Sequence, residues 1–203
     1  MAEGRHYIDW NAFRSAHSNG KFIDLLLSLP RDSWYERNGW NGYTLLQNAC
    51  VGPNVSAVVA LLLFCDPAYI NICNAFGHTA AHFAAANAQP RILEILCARG
   101  ADVQYYNDIV SGVIEFALNS NCESCVRVLL ANGVRLSNVK SSYRDLITDE
   151  LKKFEQGVLR CRKAVVALIR LKKAAQLWYV DKYLLREIGF AIWATRCDEK
   201  WQL

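Results

Sequence analysis

The segment NGYTLLQNAC, Asn41 to Cys50, returns 35 residues later as FGHTAAHFAA, Phe76 to Ala85, with Gly42 on Gly77, Thr44 on Thr79, Gln47 on His82 and Ala49 on Ala84. A second echo follows: ILCARGADV, Ile95 to Val103, returns 33 residues later as VLLANGVRL, Val128 to Leu136, with Leu96 on Leu129 and Gly100 on Gly133. A repeat this short cannot bury an apolar face by itself. It must stack against its neighbours, so the chain is restricted to a solenoid whose stability sums local and nearest-neighbour terms.

A looser copy opens the chain. NAFRSAHSNGKFIDLLLSL, Asn11 to Leu29, reads as a helix, an Asn19-Gly20 turn and a second helix, with Ala16 about one period before Ala49. This makes about four units. The pattern resembles the ankyrin repeat, a turn plus two helices per ~33 residues with T-P-L-H-x-A opening the first helix. GHTAAHFAAA carries the likeness best, with Ala80 and Ala81 replacing Pro and Leu. The resemblance covers residues 9 to 138. It is close from Asn74 to Asn107, fair from Gly39 to Cys73, and loose elsewhere. The unit from Asn107 to Ser137 departs most, with Gly112 at the threonine position and Glu115 at the histidine position, so its first helix is expected to be the least tethered.

The fold implied is all-α: an ankyrin-repeat solenoid of about four helix-turn-helix units, the first degenerate, capped by a C-terminal helical hairpin or three-helix segment. Residues 1–140 form the repeat domain and 141–203 the helical cap. Within a unit, Thr79 is placed to cap the first helix. In the ankyrin family the histidine three residues on bonds within the same corner and to the adjacent loop, which assigns His82 a structural role. Leu93, Ile95, Leu96 and Cys97 belong to the second helix, and Gly100 ends it in a left-handed conformation.

The tail differs in charge. Residues 1–140 hold 10 Lys and Arg against 11 Asp and Glu, whereas residues 141–203 hold 13 against 8. An apolar stripe at Leu151, Phe154, Val158, Cys161, Val165, Leu168 and Ala175 predicts helix, either continuous or broken at Gly157, with Ser141 or Ser142 as its cap. A last helix is expected over about Val180 to Thr195. The basic residues Lys152, Lys153, Arg160, Arg162, Lys163, Arg170, Lys172 and Lys173 face the single Glu155 in this run. A solvated helix face, an acidic partner surface, and nucleic acid or anionic lipid are the three readings of such a run. The first is expected, so neither nucleic acid nor a membrane is among the expected partners.

YVDKYLLREIGFAIWATRCDEKW, at the end of the chain, looks like the C-terminal helical tails of ankyrin proteins of large DNA viruses. Some of those tails carry F-box-like modules that dock ubiquitin-ligase adaptors. This segment has Tyr179-Val180 where an F-box opens with Leu-Pro. The resemblance implies two alternatives to a simple binding module: a substrate adaptor recruiting a ubiquitin-ligase component, or a structural component of a viral assembly.

No arrangement in the sequence predicts catalysis. His6, His17, His78 and His82 are scattered, Gly39-Trp40-Asn41-Gly42 lacks the lysine and spacing of a phosphate loop, and Cys122-x-x-Cys125 has no second pair to complete a zinc shell. The alignment sets Cys125 at the Ile92 position, facing inward as a buried thiol. An enzyme, a cofactor and a metal are therefore not expected. Eight cysteines without a secretory leader fit reduced thiols in an intracellular protein, cytoplasmic or nuclear, or carried in a virion if viral. No apolar run reaches membrane-spanning length.

The expected function is non-enzymatic binding of a protein partner through the concave ankyrin face and the finger loops between units. Aromatic residues fall at the fingers: Trp34, Tyr35 and Trp40 in the first, Phe76 in the second, Tyr105 and Tyr106 in the third. Rings of this size dominate binding hot spots. For Trp34 and Tyr35 a second placement fits equally, folded beneath the finger to cover the front unit.

Overall fold

A computed structural model describes residues 8–16, 19–39, 41–104 and 111–174. It separates into two compact units, 1–147 and 148–203. Among the described residues there are helices and no β-strands.

In the first unit the helices come in pairs: α1 (Trp10–Ser15) with α2 (Asn19–Ser28), α3 (Leu45–Ala49) with α4 (Val55–Phe64), α5 (Ala80–Ala86) with α6 (Pro90–Ala98), and α7 (Val113–Asn119) with α8 (Glu123–Ala131). First helices pack on first helices and second on second, so α3 touches α5, α5 touches α7, α4 touches α6 and α6 touches α8. The repeat register explains the core. Leu45, Ala80 and Val113 are equivalent and buried, as are Ala49, Ala84 and Ala117, while Val58, Leu93 and Val126 with Leu61, Leu96 and Leu129 fill the second layer. Small residues in the first helices let neighbouring units approach closely, and branched residues in the second helices fill the space behind them.

Local chemistry sets the element ends. Thr44 opens α3 with a capping box, its Oγ1 accepting from the Gln47 amide at 3.2 Å while Gln47 Oε1 accepts from the Thr44 amide at 3.1 Å. Gly100 and Gly133 follow α6 and α8 at φ +90 and +102, the left-handed conformation in which only glycine escapes a Cβ clash. The Asn19-Gly20 pair expected to turn between α1 and α2 stands instead in the first turn of α2. Asp9 caps α1, its carboxylate accepting from the amides of Asn11 and Ala12 at 3.0 and 3.1 Å.

Trp34 belongs to this core. It is 3% exposed, at the end of a 3-10 turn (Arg31–Tyr35), edge-on to Phe64. Its carbonyl accepts from the Tyr69 hydroxyl at 2.8 Å. Tyr35 packs edge-on to Tyr69, and its hydroxyl accepts from the Asp66 amide at 3.0 Å. Both residues stitch the front of the solenoid to the following unit.

The second unit begins at Thr148, and its described part is α9 (Asp149–Ala174), continuous through Gly157. The expected start at Ser141 or Ser142 is corrected. Those residues open a separate 3-10 turn (Ser141–Leu146), and α9 is capped by Thr148, whose Oγ1 accepts from the Leu151 amide at 3.3 Å. Asp149 and Glu150 in the first turn suit the positive end of the helix dipole.

Candidate binding face of the repeats

The first helices α3, α5 and α7 each carry, three residues past the cap, a buried polar side chain that bonds backward to its own cap or forward to the next loop. Gln47 Nε2 donates to the carbonyls of Ile72 at 2.7 Å and His78 at 3.1 Å. His82 is pinned from both sides. Its Nδ1 accepts from the Thr79 amide at 3.1 Å, which leaves the proton on Nε2 to be donated to the Ser111 carbonyl at 3.2 Å. Burial, reinforced by nearby His78, lowers the His82 pKa to about 4 despite the opposing pull of the Ser111 carbonyl. The imidazole is neutral at physiological pH and structural.

Glu115 occupies the same place in α7 with the opposite polarity. It is 3% exposed, and its Oε1 accepts from the Lys140 amide at 3.1 Å. Glu115 thus gives α7 a forward tether without a cap bond, where Gln47 and His82 make both, in line with the expectation that this first helix is the least tethered. Gly112 supplies no side-chain cap to α7, but a carboxylate reaching an amide replaces the imidazole reaching a carbonyl.

The fingers preceding the first helices are built by backbone geometry. In the first, the Asn38 amide donates to the Tyr43 carbonyl at 2.9 Å, and Gly42 sits at φ +65. The second turns on Asn74, whose Oδ1 accepts from the amides of Phe76 at 3.0 Å and His78 at 2.9 Å. The two fingers join where the Ala75 amide donates to the Asn41 carbonyl at 2.9 Å. A Cβ on Gly42 would stand 3.3 Å from Ala75 N, so a close approach as well as a left-handed conformation requires glycine here.

Stacking brings a row of rings together across these units. Tyr43 lies against Phe83 with centroids 5.1 Å apart, His78 against Phe83 at 6.1 Å and Phe116 at 5.1 Å, and His82 against Phe116 at 5.4 Å. Phe76 extends the row at 6.4 Å from His78 and is 55% exposed. Tyr43, His78, Phe83 and Phe116 are each half-buried, presenting one side outward. The segments that carry this face, residues 41–54, 72–88 and 111–121, contain no Lys, Arg or Asp and one acidic residue, the buried Glu115. Asn48, Asn87, Asn119 and Asn121 supply amides instead.

The sequence that builds these repeats matches a family model. Residues 12–107 fit the model described as ankyrin repeats, three copies. Residues 12–107 are ankyrin repeats. Ankyrin repeats indicate a protein–protein interaction module, and the family is generally non-enzymatic. Comparison with curated proteins gives no match.

Of the rings expected at the ankyrin fingers, Phe76 is exposed, and Tyr35 is 47% exposed with its hydroxyl engaged by Asp66. Trp34 is interior and leaves the set, because the 3-10 turn rolls it under the finger against Phe64. Trp40, Tyr105 and Tyr106 lie outside the described residues, as does the segment from residue 175 onward with its F-box-like resemblance. On α9 the side chains of Lys152, Lys153, Arg160, Arg162 and Lys163 are exposed, and Lys152 pairs with Asp149 at 2.9 Å. The side chains of Arg170, Lys172 and Lys173 are outside the described set.

Tyr43, His78, Phe83 and Phe116 escaped sequence reasoning, although a signal existed. They stand one residue before, or four residues after, the cap of each first helix, a spacing that turns them to the same side. A second exposed apolar group lies on the other side, at Leu27, Leu63 and Phe64, where the Arg31 guanidinium sits 4.0 Å from the Phe64 ring centre. Among the described residues no group of three or more His, Cys, Asp or Glu could hold a metal ion, and no helix is long and apolar enough to cross a membrane.

Proposed function

We propose that the ankyrin repeats hold a protein partner on the face formed by the first helices and fingers, the concave face of the family, through the rings of Tyr43, Phe76, His78, Phe83 and Phe116. Trp40, Tyr105 and Tyr106 extend the set by their repeat positions, and Tyr35 by its exposure. The absence of exposed charge along the described part of this face supports the reading. An uncharged surface with rigid rings and amides fits an apolar, hydrogen-bonding segment, since a charged one would lose hydration without finding a counter-charge.

The basic run of α9 is then a solvated face and not the grip. Capture should accordingly persist between low and high salt, because screening weakens charge-driven contacts and leaves apolar ones intact.

Phe76 and Asn87 are both exposed, so Phe76→Lys with Asn87→Lys places charge on the face without touching the core. Partners retained by the wild-type chain at both salt concentrations should be lost from this double variant and kept by Leu63→Lys on the opposite side. Equal capture by the double variant, or wild-type capture that vanishes at high salt, refutes the assignment.

A further inference from the structure

Helix α8 starts on the Cys122-x-x-Cys125 motif. Cys122 is the cap residue, and its Sγ accepts from the Cys125 amide at 3.4 Å. The Cys125 side chain turns back in the first turn, so that the two sulfurs stand 2.9 Å apart. Their exposures differ. Cys122 is half-buried and open to solvent on one side, while Cys125 is fully buried in the slot that Ile92 fills in α6.

We propose that Cys122 and Cys125 form a redox-active dithiol that a low-molecular-weight disulfide, such as oxidised glutathione, converts into an intramolecular disulfide at the head of α8. The bond length required is about 2.05 Å, so the sulfurs need to close by only about 0.9 Å. Neither folding nor the binding face has to rearrange for that step.

Exposure sets the order of events. The Cys122 thiolate attacks one sulfur of glutathione disulfide, the disulfide bond breaks, and one glutathione leaves as a thiolate that takes a proton from water. Cys125, after losing its proton to solvent, attacks the Cys122 sulfur, and the second glutathione leaves and is protonated in turn. Two protein thiols are oxidised by two electrons, and one glutathione disulfide is reduced to two glutathiones. Burial raises the Cys125 thiol pKa and keeps external disulfides away from it, which suits it to resolve the adduct and not to begin the exchange. The neighbouring sulfur is the electrophile within its reach.

The full chain, reduced and then incubated with excess glutathione disulfide, is quenched in acid, alkylated and mapped by mass spectrometry. The expected product is lighter than the reduced chain by two hydrogens at a peptide linking Cys122 to Cys125, with the glutathione adduct on Cys122 a minor species. Cys125→Ala should instead accumulate that adduct, and Cys122→Ala should take up none at Cys125. Alkylation of both Cys122 and Cys125 in the wild-type chain after oxidation, or the glutathione adduct on Cys122 as the main product, would overturn the proposal. The wild-type measurement decides this even if a variant fails to fold.

Discussion

Acidification should unlock the third repeat through a single side chain. His82 is accommodated only as neutral imidazole, because Nδ1 faces the donating Thr79 amide and Nε2 must keep its proton for the Ser111 carbonyl. Its pKa lies near 4 in the fold against an ordinary 6.5. The unfolded chain therefore binds a proton that the folded chain refuses, and the stabilisation from His82 is complete above pH 6.5 and falls as pH drops through 6.5 toward 4. By linkage this loss is about 2 kcal/mol at pH 5 and about 3 kcal/mol below pH 4. The control is supplied by the adjacent repeat, where Gln47 accepts from its cap amide and donates to the next loop without titrating. Urea unfolding of the wild type and of His82→Gln at pH 7.5, 6 and 5 isolates the imidazole from the carboxylates and from His78, which both proteins share. Between pH 7.5 and 5 the wild type should lose about 2 kcal/mol more than the variant. Parallel losses in the two proteins would show that His82 is not held neutral by these contacts.

Two further substitutions test the architecture. Ala88 lies at φ +52 between α5 and α6, in the place that Asn121 takes one repeat later at φ +51. Ala88→Gly should stabilise the protein by about 0.5–1 kcal/mol by removing a left-handed Cβ penalty, and an unchanged or lower midpoint in urea would contradict the assigned backbone. Tyr69→Phe removes the hydroxyl that donates to the buried Trp34 carbonyl. It should cost about 1–2 kcal/mol, with a red shift in tryptophan emission if the turn that buries Trp34 loosens; an unchanged unfolding midpoint would separate that turn from global stability.

Much of the scaffold was legible because its determinants are local. The Thr-x-x-Gln and Thr-x-x-His corners, the glycines after α6 and α8, and the period of 33 to 35 residues each specify backbone within a few residues of themselves. Asn19-Gly20 misled because a pair favoured in turns is also tolerated in the first turn of a helix, where amides have no intrahelical partner to lose. The start of α9 was misplaced because serines at 141 and 142 resemble a cap as much as Thr148 does, and only the chain path separates them. Of the candidate face, Phe76 was legible from its finger position. The other rings were not legible because half-buried aromatics and buried ones share the same helical spacing.

Sequence by itself determined that this chain stacks helical pairs, since a 33-residue unit with one apolar side has nowhere else to hide it. Tertiary structure alone decided which chemically capable side chains work outward. Trp34 turned inward while Phe76 did not, Glu115 found an amide 25 residues away, and Tyr43, Phe83 and Phe116 became one row. These outcomes depend on groups a whole repeat apart in the chain, whose distances are set by how closely neighbouring units pack and not by any spacing within one of them.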